Sequence, residues 1–240
     1  MKLNSLLELA KETALEAGSF LKINKKKKKK VLSQDGRDIK LELDRKTEKL
    51  ILKKLKSSEI KILGEEYGYD DTSSDAVWVV DPLDGTANYY RGLDQACVSI
   101  GLMLKNEPLL GVVFNFNTNE LFFSSKGNGS FLNNERIHVS TISNKNQASL
   151  TTGFPSTETI NATYNFLDSL QEWKKIRMFG SAALSCAYVA SGRCDVYMER
   201  GIYLWDFAAG ASLVKEAGGQ ISFKKINSNR YEVKFSNAIL

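Results

Sequence analysis

The chain has 240 residues, 42% of them hydrophobic, and a formal charge of +5; that length supports a large core in one or two domains. Three cysteines (Cys97, Cys186, Cys194) and a single histidine, His138, exclude a disulfide framework, the common Cys/His zinc sites and every histidine-based triad. Any catalysis therefore falls to carboxylates, hydroxyls and a metal ion.

Leu3, Leu6, Leu7, Ala10, Ala14, Ala17 and Leu21 recur at steps of three and four, which predicts an amphipathic first helix weakened near its end by Gly18. The segment Met1–Glu8 is charged and helical in period, so no leader is read there. No apolar run approaches the ~18 residues of a membrane span. Lys25 to Lys30 contribute six positive charges, leaving the rest of the chain one negative charge in excess. Without interleaved aromatics or a basic helix, this run reads as a solvated loop extending to about Arg37, not as a nucleic-acid or membrane contact. A second helix is predicted over Asp44–Lys56, then a short strand, Lys61–Gly64, ending at Glu65-Glu66. Tyr67–Asp75 reads as an exposed connection.

Trp78-Val79-Val80 then runs into Asp81-Pro82-Leu83-Asp84-Gly85-Thr86. This is a buried strand whose end places two carboxylates in a tight turn, with the Gly85 and Thr86 amides behind them free to meet an anion. Carboxylates and anion-binding amides suit one ligand only if a divalent cation lies between them, as magnesium does between carboxylate and phosphate oxygens. Strands follow at Ala96–Met103, Leu109–Phe114 and Leu121–Ser124, with turns at Asn106-Glu107-Pro108 and Asn117–Asn119. A further hairpin starts at Gly127-Asn128-Gly129 and ends near Asn133-Asn134, so a β-meander is expected. His138, beyond it, reads as structural. The polar stretch Ile142–Gln147 suggests a boundary between an N-terminal α+β unit (1–143) and a C-terminal α/β unit (144–240). In the second unit, strands at Leu150–Gly153, Lys175–Met178 and Cys194–Met198 alternate with helices at Ile160–Trp173, Ala182–Ser191 and Asp206–Ala217. Gly218-Gly219 stops the last helix.

Taken singly, the acids have plain readings. Glu65-Glu66 can be surface acids before a loop, Asp81 and Asp84 can make an Asx-turn, and Asp44 and Asp206 can be helix N-caps. Jointly, Gly64-Glu65-Glu66, Asp81-Pro82-Leu83-Asp84-Gly85-Thr86 and Trp205-Asp206-Phe207-Ala208-Ala209-Gly210 follow one another with the key acids 16 and 125 residues apart. In this the sequence resembles the inositol monophosphatase family of magnesium-dependent, lithium-sensitive phosphatases, from about residue 1 to 237. The resemblance implies a layered αβαβα sandwich of the sugar-phosphatase type, a cytoplasmic homodimer and a small phosphate monoester as partner. It implies two or three Mg²⁺ ions. Glu65, Asp81 and the Leu83 carbonyl would hold one, Asp81, Asp84 and Asp206 a second, and Glu65 with water a weaker third. Gly85 and Thr86 would receive the phosphate, with Asp44 paired to Thr86 so that Thr86, Asp44 and Glu65 serve catalysis. Ser181, Ala182, Glu199 and Arg177, with Asp84 and Asp206, would face the substrate. Family members continue past the Ser-Asn pair, here Ser236-Asn237, into a final helix; this sequence ends at Leu240. Ala87-Asn88-Tyr89 after the signature favours a polyol or sugar phosphate over a 3′(2′),5′-bisphosphate nucleotide. Histidinol phosphate and NADP stay open as substrates, and a non-catalytic metal- or phosphate-binding regulator is the alternative of another class.

Overall fold

Apolar side chains alternate along the central strands, and this period sorts them onto two opposite faces that helices must cover. The computed structural model describes residues 2–35, 38–69, 75–154 and 160–240. Helix α1 (Leu3–Asn24) buries Leu6, Leu7, Ala10, Ala14, Ala17 and Leu21, the stripe expected from its sequence. Gly18 does not end it. A Cβ there would stand 2.5 Å from the Phe114 ring, so the glycine lets helix and sheet approach closely. The loop expected to run to Arg37 instead contains strand β1 (Val31–Asp35), which pairs antiparallel with β2 (Asp38–Leu41) just beyond it. Helix α2 (Glu42–Leu55) follows directly.

A large sheet takes β3 (Lys61–Gly64), β4 (Gly68–Tyr69), β5 (Ala76–Asp84), β6 (Cys97–Leu104), β7 (Glu107–Asn115), β8 (Glu120–Ser125), β9 (Gly129–Leu132) and β10 (Glu135–Ile137), with helix α3 (Thr86–Arg91) after β5. Its order is β10-β9-β8-β7-β6-β5-β3-β4. From β5 to β10 it is the expected meander; β3 and β5 pair parallel. The turn expected at Asn106–Pro108 is shorter, because Glu107 and Pro108 already belong to β7. Of the connection from Tyr67 to Asp75, residues 70–74 lie outside the described residues.

The second half supplies β11 (Ser149–Thr151), α4 (Ile160–Ser169), β12 (Lys175–Arg177), α5 (Ala182–Ala190), β13 (Val196–Ile202), α6 (Leu204–Glu216), β14 (Gln220–Lys225) and β15 (Tyr231–Ser236). Its sheet runs β12-β11-β13-β15-β14. The β14–β15 hairpin has no counterpart among the elements predicted above. Three apolar layers join the elements. Trp78, Val80, Val98, Ile100, Leu102 and Val112 face α1 and α2. Val113 and Phe122, on the other face, meet α5, α6 and the inner residues Tyr197, Val233 and Phe235 of the second sheet. Leu150 and Val196 then cover Phe166 of α4 with Leu170 and Trp173. The result is an αβαβα sandwich. All three cysteines are buried and free, and among the described residues no helix is long and apolar enough to cross a membrane.

Candidate active site

Because β3 and β5 run parallel with Gly64 beside Val80, their carboxyl ends deliver Glu65 and Asp81 to the same edge. The Glu65 amide donates to the Val80 carbonyl at 3.2 Å, continuing the ladder by one residue. The turn beyond is held by Glu48, a fully buried acid of α2, which accepts from the amides of Glu66 (2.9 Å) and Tyr67 (3.0 Å). Gly64 must lack a side chain, since its Cβ would lie 2.0 Å from the Glu48 Oε1. Glu66 is drawn back from the edge, its nearly buried carboxylate paired to Lys40 (2.9 Å) and Arg45 (3.3 Å). Glu65 turns instead toward Asp81, with which it shares a hydrogen bond.

At the end of β5, Asp81 Oδ1 accepts from the Leu83 amide at 2.9 Å, and the Leu83 carbonyl accepts from the Thr86 hydroxyl at 2.8 Å. Asp84 Oδ2 accepts from the Ser181 hydroxyl (2.5 Å) and the Ala183 amide (2.8 Å), with the Ala182 amide also bonded to the carboxylate. Ser181 is the N-cap of α5 and accepts from the Leu184 amide, so Asp84 is tied to the start of that helix. Gly85 takes φ +85°, and a Cβ there would lie 2.5 Å from the Gln95 carbonyl. Asn88 closes the same turn by donating to Gln95 O (2.8 Å) and Phe179 O (2.7 Å).

Asp44 and Asp206 are not N-caps. Each sits at the third position of its helix and accepts the amide of the residue preceding the helix: Leu41 to Asp44 at 2.7 Å, Tyr203 to Asp206 at 2.7 Å. One oxygen thus serves the helix start and one stays available. Among the described residues, the buried side-chain polar atoms without a partner are Asp44 Oδ1 and Ser99 Oγ. Ser99 lies opposite Asp81 in the β5–β6 register.

Charge confirms the convergence. Burial, then Glu65, Asp84 and Asp206 in that order, push Asp81 well above the usual carboxylate range. Burial and Asp84 do the same to Asp206, to which Glu65 and Glu199 add. Burial raises Asp84 against its hydrogen bonds from Ser181, Ala183 and Ala182. Glu65 goes up to about 7 through burial, with Glu66 and Asp84 raising it and Lys40 opposing. Burial, with Asp84, takes Glu199 to about 7; it accepts from the Tyr197 hydroxyl at 3.0 Å. Gly153 gives it room, since a Cβ there would stand 1.9 Å from Oε1.

One expected relation is absent. Thr86 is bonded to Leu83 O and Asp44 Oδ1 is unpartnered, so these two side chains are not paired. Arg177 is exposed on the edge strand β12 and donates to Ile176 O at 3.3 Å. Sequence reasoning missed Glu48, Asn88, Ser99 and Lys40. Glu48 had a signal, an acid one helical turn after Asp44 on the face that turns inward.

The donors suit a hard cation: oxygen only, mutually repelling, with unsatisfied polar atoms on two sides. Among the described residues no group of three or more acids, thiols or imidazoles is spaced to hold a metal ion unaided. Magnesium keeps several waters and takes substrate phosphate into its octahedron, so the carboxylates need not close on it by themselves.

This architecture, with strand-end carboxylates beside a glycine turn between two sheets, is that of a sugar-phosphatase-type protein. The inositol monophosphatase family model matches residues 2–231, and the chain belongs to that family. It is 42% identical over 231 residues to the Nus factor SuhB of Xylella fastidiosa, covering 93% of this chain and 84% of that protein. It is 38% identical over 228 residues to the inositol-1-monophosphatase of Synechocystis sp., covering 92% and 79%. The structure of inositol monophosphatase from Anabaena superposes with a TM-score of 0.87 at 33% identity, covering 100% of this chain and 93% of that one.

Proposed function

We propose that the protein is a magnesium-dependent phosphomonoesterase for a polyol or sugar phosphate. The observation that carries this reading is the convergence of Glu65, Asp81, Asp84 and Asp206, from β3, β5 and α6, beside the Gly85-Thr86 turn. In it Glu65, Asp81 and the Leu83 carbonyl hold one Mg²⁺, and Asp81, Asp84 and Asp206 a second. When bound, such ions neutralise a phosphate monoester, activate a water and stabilise the leaving oxygen.

The chain's own groups do the positioning. Asp81 and Asp84 are pinned by the Leu83 amide and by Ser181, so their free oxygens are preorganised. The Gly85 and Thr86 amides receive the phosphate. Asp44 Oδ1 is an open acceptor for the Thr86 hydroxyl once that leaves Leu83 O, and the pair then orients the attacking water. Ser181, Ala182 and Glu199 meet the alcohol part, where a carboxylate suits polyol hydroxyls. The reading includes a cytoplasmic homodimer, on the family resemblance.

Phosphate release from inositol 1-phosphate, fructose 1,6-bisphosphate, histidinol phosphate, NADP and 3′-phosphoadenosine 5′-phosphate, each with and without Mg²⁺, tests it. The first two should give the higher kcat/KM, and only with metal. Preference for the nucleotide would replace the substrate class; metal-independent release would end the mechanism. The name Nus factor carried by the Xylella relative supports a second reading, a regulatory role beside or in place of turnover. No release from any substrate with Mg²⁺ bound would favour it.

A further inference from the structure

Lys40 brings a cation into a neighbourhood built of acids. It lies on β2 of the β1–β2 hairpin, immediately before Leu41, whose amide binds Asp44. Its ammonium donates to Glu66 Oε1 at 2.9 Å, and Arg45 holds the other oxygen of the same carboxylate at 3.3 Å. Glu66 thus meets both cations, and the buried Glu48 behind it also feels the Lys40 charge. Lys40 is the half-buried member of the two, 38% exposed against 56% for Arg45. The acids that feel its charge are Glu66, Glu65, Asp44 and Glu48.

We propose that Lys40 is a built-in counter-cation on the Glu65 side of the site, which weakens the binding of whichever divalent ion depends most on Glu65. This rests on the magnesium reading above. In water-like surroundings a fixed ammonium several ångströms from a divalent ion weakens that ion by about tenfold. In exchange it partly neutralises Glu65 and Asp44 when no metal is bound, so the metal-free edge does not spring apart.

The test uses Mn²⁺ as the probe, titrated into the chelator-stripped full chain without substrate, with free Mn²⁺ read by its electron paramagnetic resonance signal. Lys40→Met should bind its weakest ion about tenfold tighter than wild type, and Lys40→Arg should match wild type. Should Lys40→Met not fold, Lys40→Gln makes the same comparison. Melting in excess chelator should be lower for Lys40→Met, with a larger recovery on adding Mn²⁺. A Lys40→Met isotherm that superimposes on wild type, or is weaker, overturns the role of Lys40 and leaves a plain hairpin tether. Absence of saturable Mn²⁺ binding in wild type overturns the metal reading itself, which separates the two failures.

Discussion

At the scale of single residues, Asp81 carries the sharpest test. Three other acids repel it, and its Oδ1 is held by the Leu83 backbone amide. Asp81→Asn removes a charge from both proposed ion sites, so turnover should fall by about 10²-fold or more, the scale on which loss of one preorganised electrostatic contact acts. The same change relieves repulsion, so the metal-free variant should melt higher than wild type. Near-normal phosphate release would refute the assignment. Thr86 and Asp44 test differently. If they act as one unit, Thr86→Ala and Asp44→Asn should each lower kcat far more than they alter KM, and the double variant should lose little more than either. Strict additivity would mean that Asp44 serves only the start of α2. Gly64→Ala should unfold at lower urea, by about 1–3 kcal/mol for an overpacked site, because its Cβ would lie 2.0 Å from the Glu48 carboxylate.

At the scale of elements, the placing of α6 decides where Asp206 points. The helix crosses β6 and β7 backbone to backbone, and a Cβ on Gly111 would stand 2.1 Å from Ala209 O, one on Gly101 2.8 Å from Ala209 N. Gly111→Ala should therefore push the helix outward. Its measurable result is weaker Mg²⁺ binding by calorimetry together with a lower melting temperature; loss of stability with unchanged affinity would detach Asp206 from this contact. The small residues Ala208-Ala209-Gly210 after Asp206 announced that packing in the sequence, as the near-continuous apolar runs announced β5 to β8. The β1–β2 hairpin was not legible, since Val31 and Leu32 are 38% and 39% exposed and flanked by lysines, so no buried face sets a period. The β14–β15 hairpin did carry alternation, in Ile221 and Phe223, then Tyr231, Val233 and Phe235, with polar residues between. The site was legible as motifs but not as geometry. That Glu65 adjoins Asp81 follows from parallel pairing, and that Asp44 and Asp206 sit third in their helices follows from where the chain turns. Neither is local.

At the scale of the whole molecule, the site is a store of repulsion that protons or cations must neutralise. Burial takes Asp44 from 3.8 to about 8, with Glu65 adding; it takes Glu65 from 4.5 to about 7 and Glu199 from 4.5 to about 7. In the unfolded chain these groups release their protons near pH 4, whereas the folded, metal-free chain keeps them until pH 7–8. Between those limits the folded state binds more protons, so its stability is greatest at the acid end and is lost as pH rises, by about 1.4 kcal/mol for each tenfold change in proton affinity. A divalent ion competes for the same oxygens and needs them deprotonated, so its stabilising effect grows over the same range. Melting temperatures in excess chelator should thus fall steadily from pH 5 to pH 8, while those in saturating Mg²⁺ should stay flatter, the two curves separating toward alkaline pH. Curves that run parallel would show that the raised carboxylates are not where the metal binds. A chelator curve that climbs over this range would show that they are already ionised in the fold, and that something other than metal holds them together.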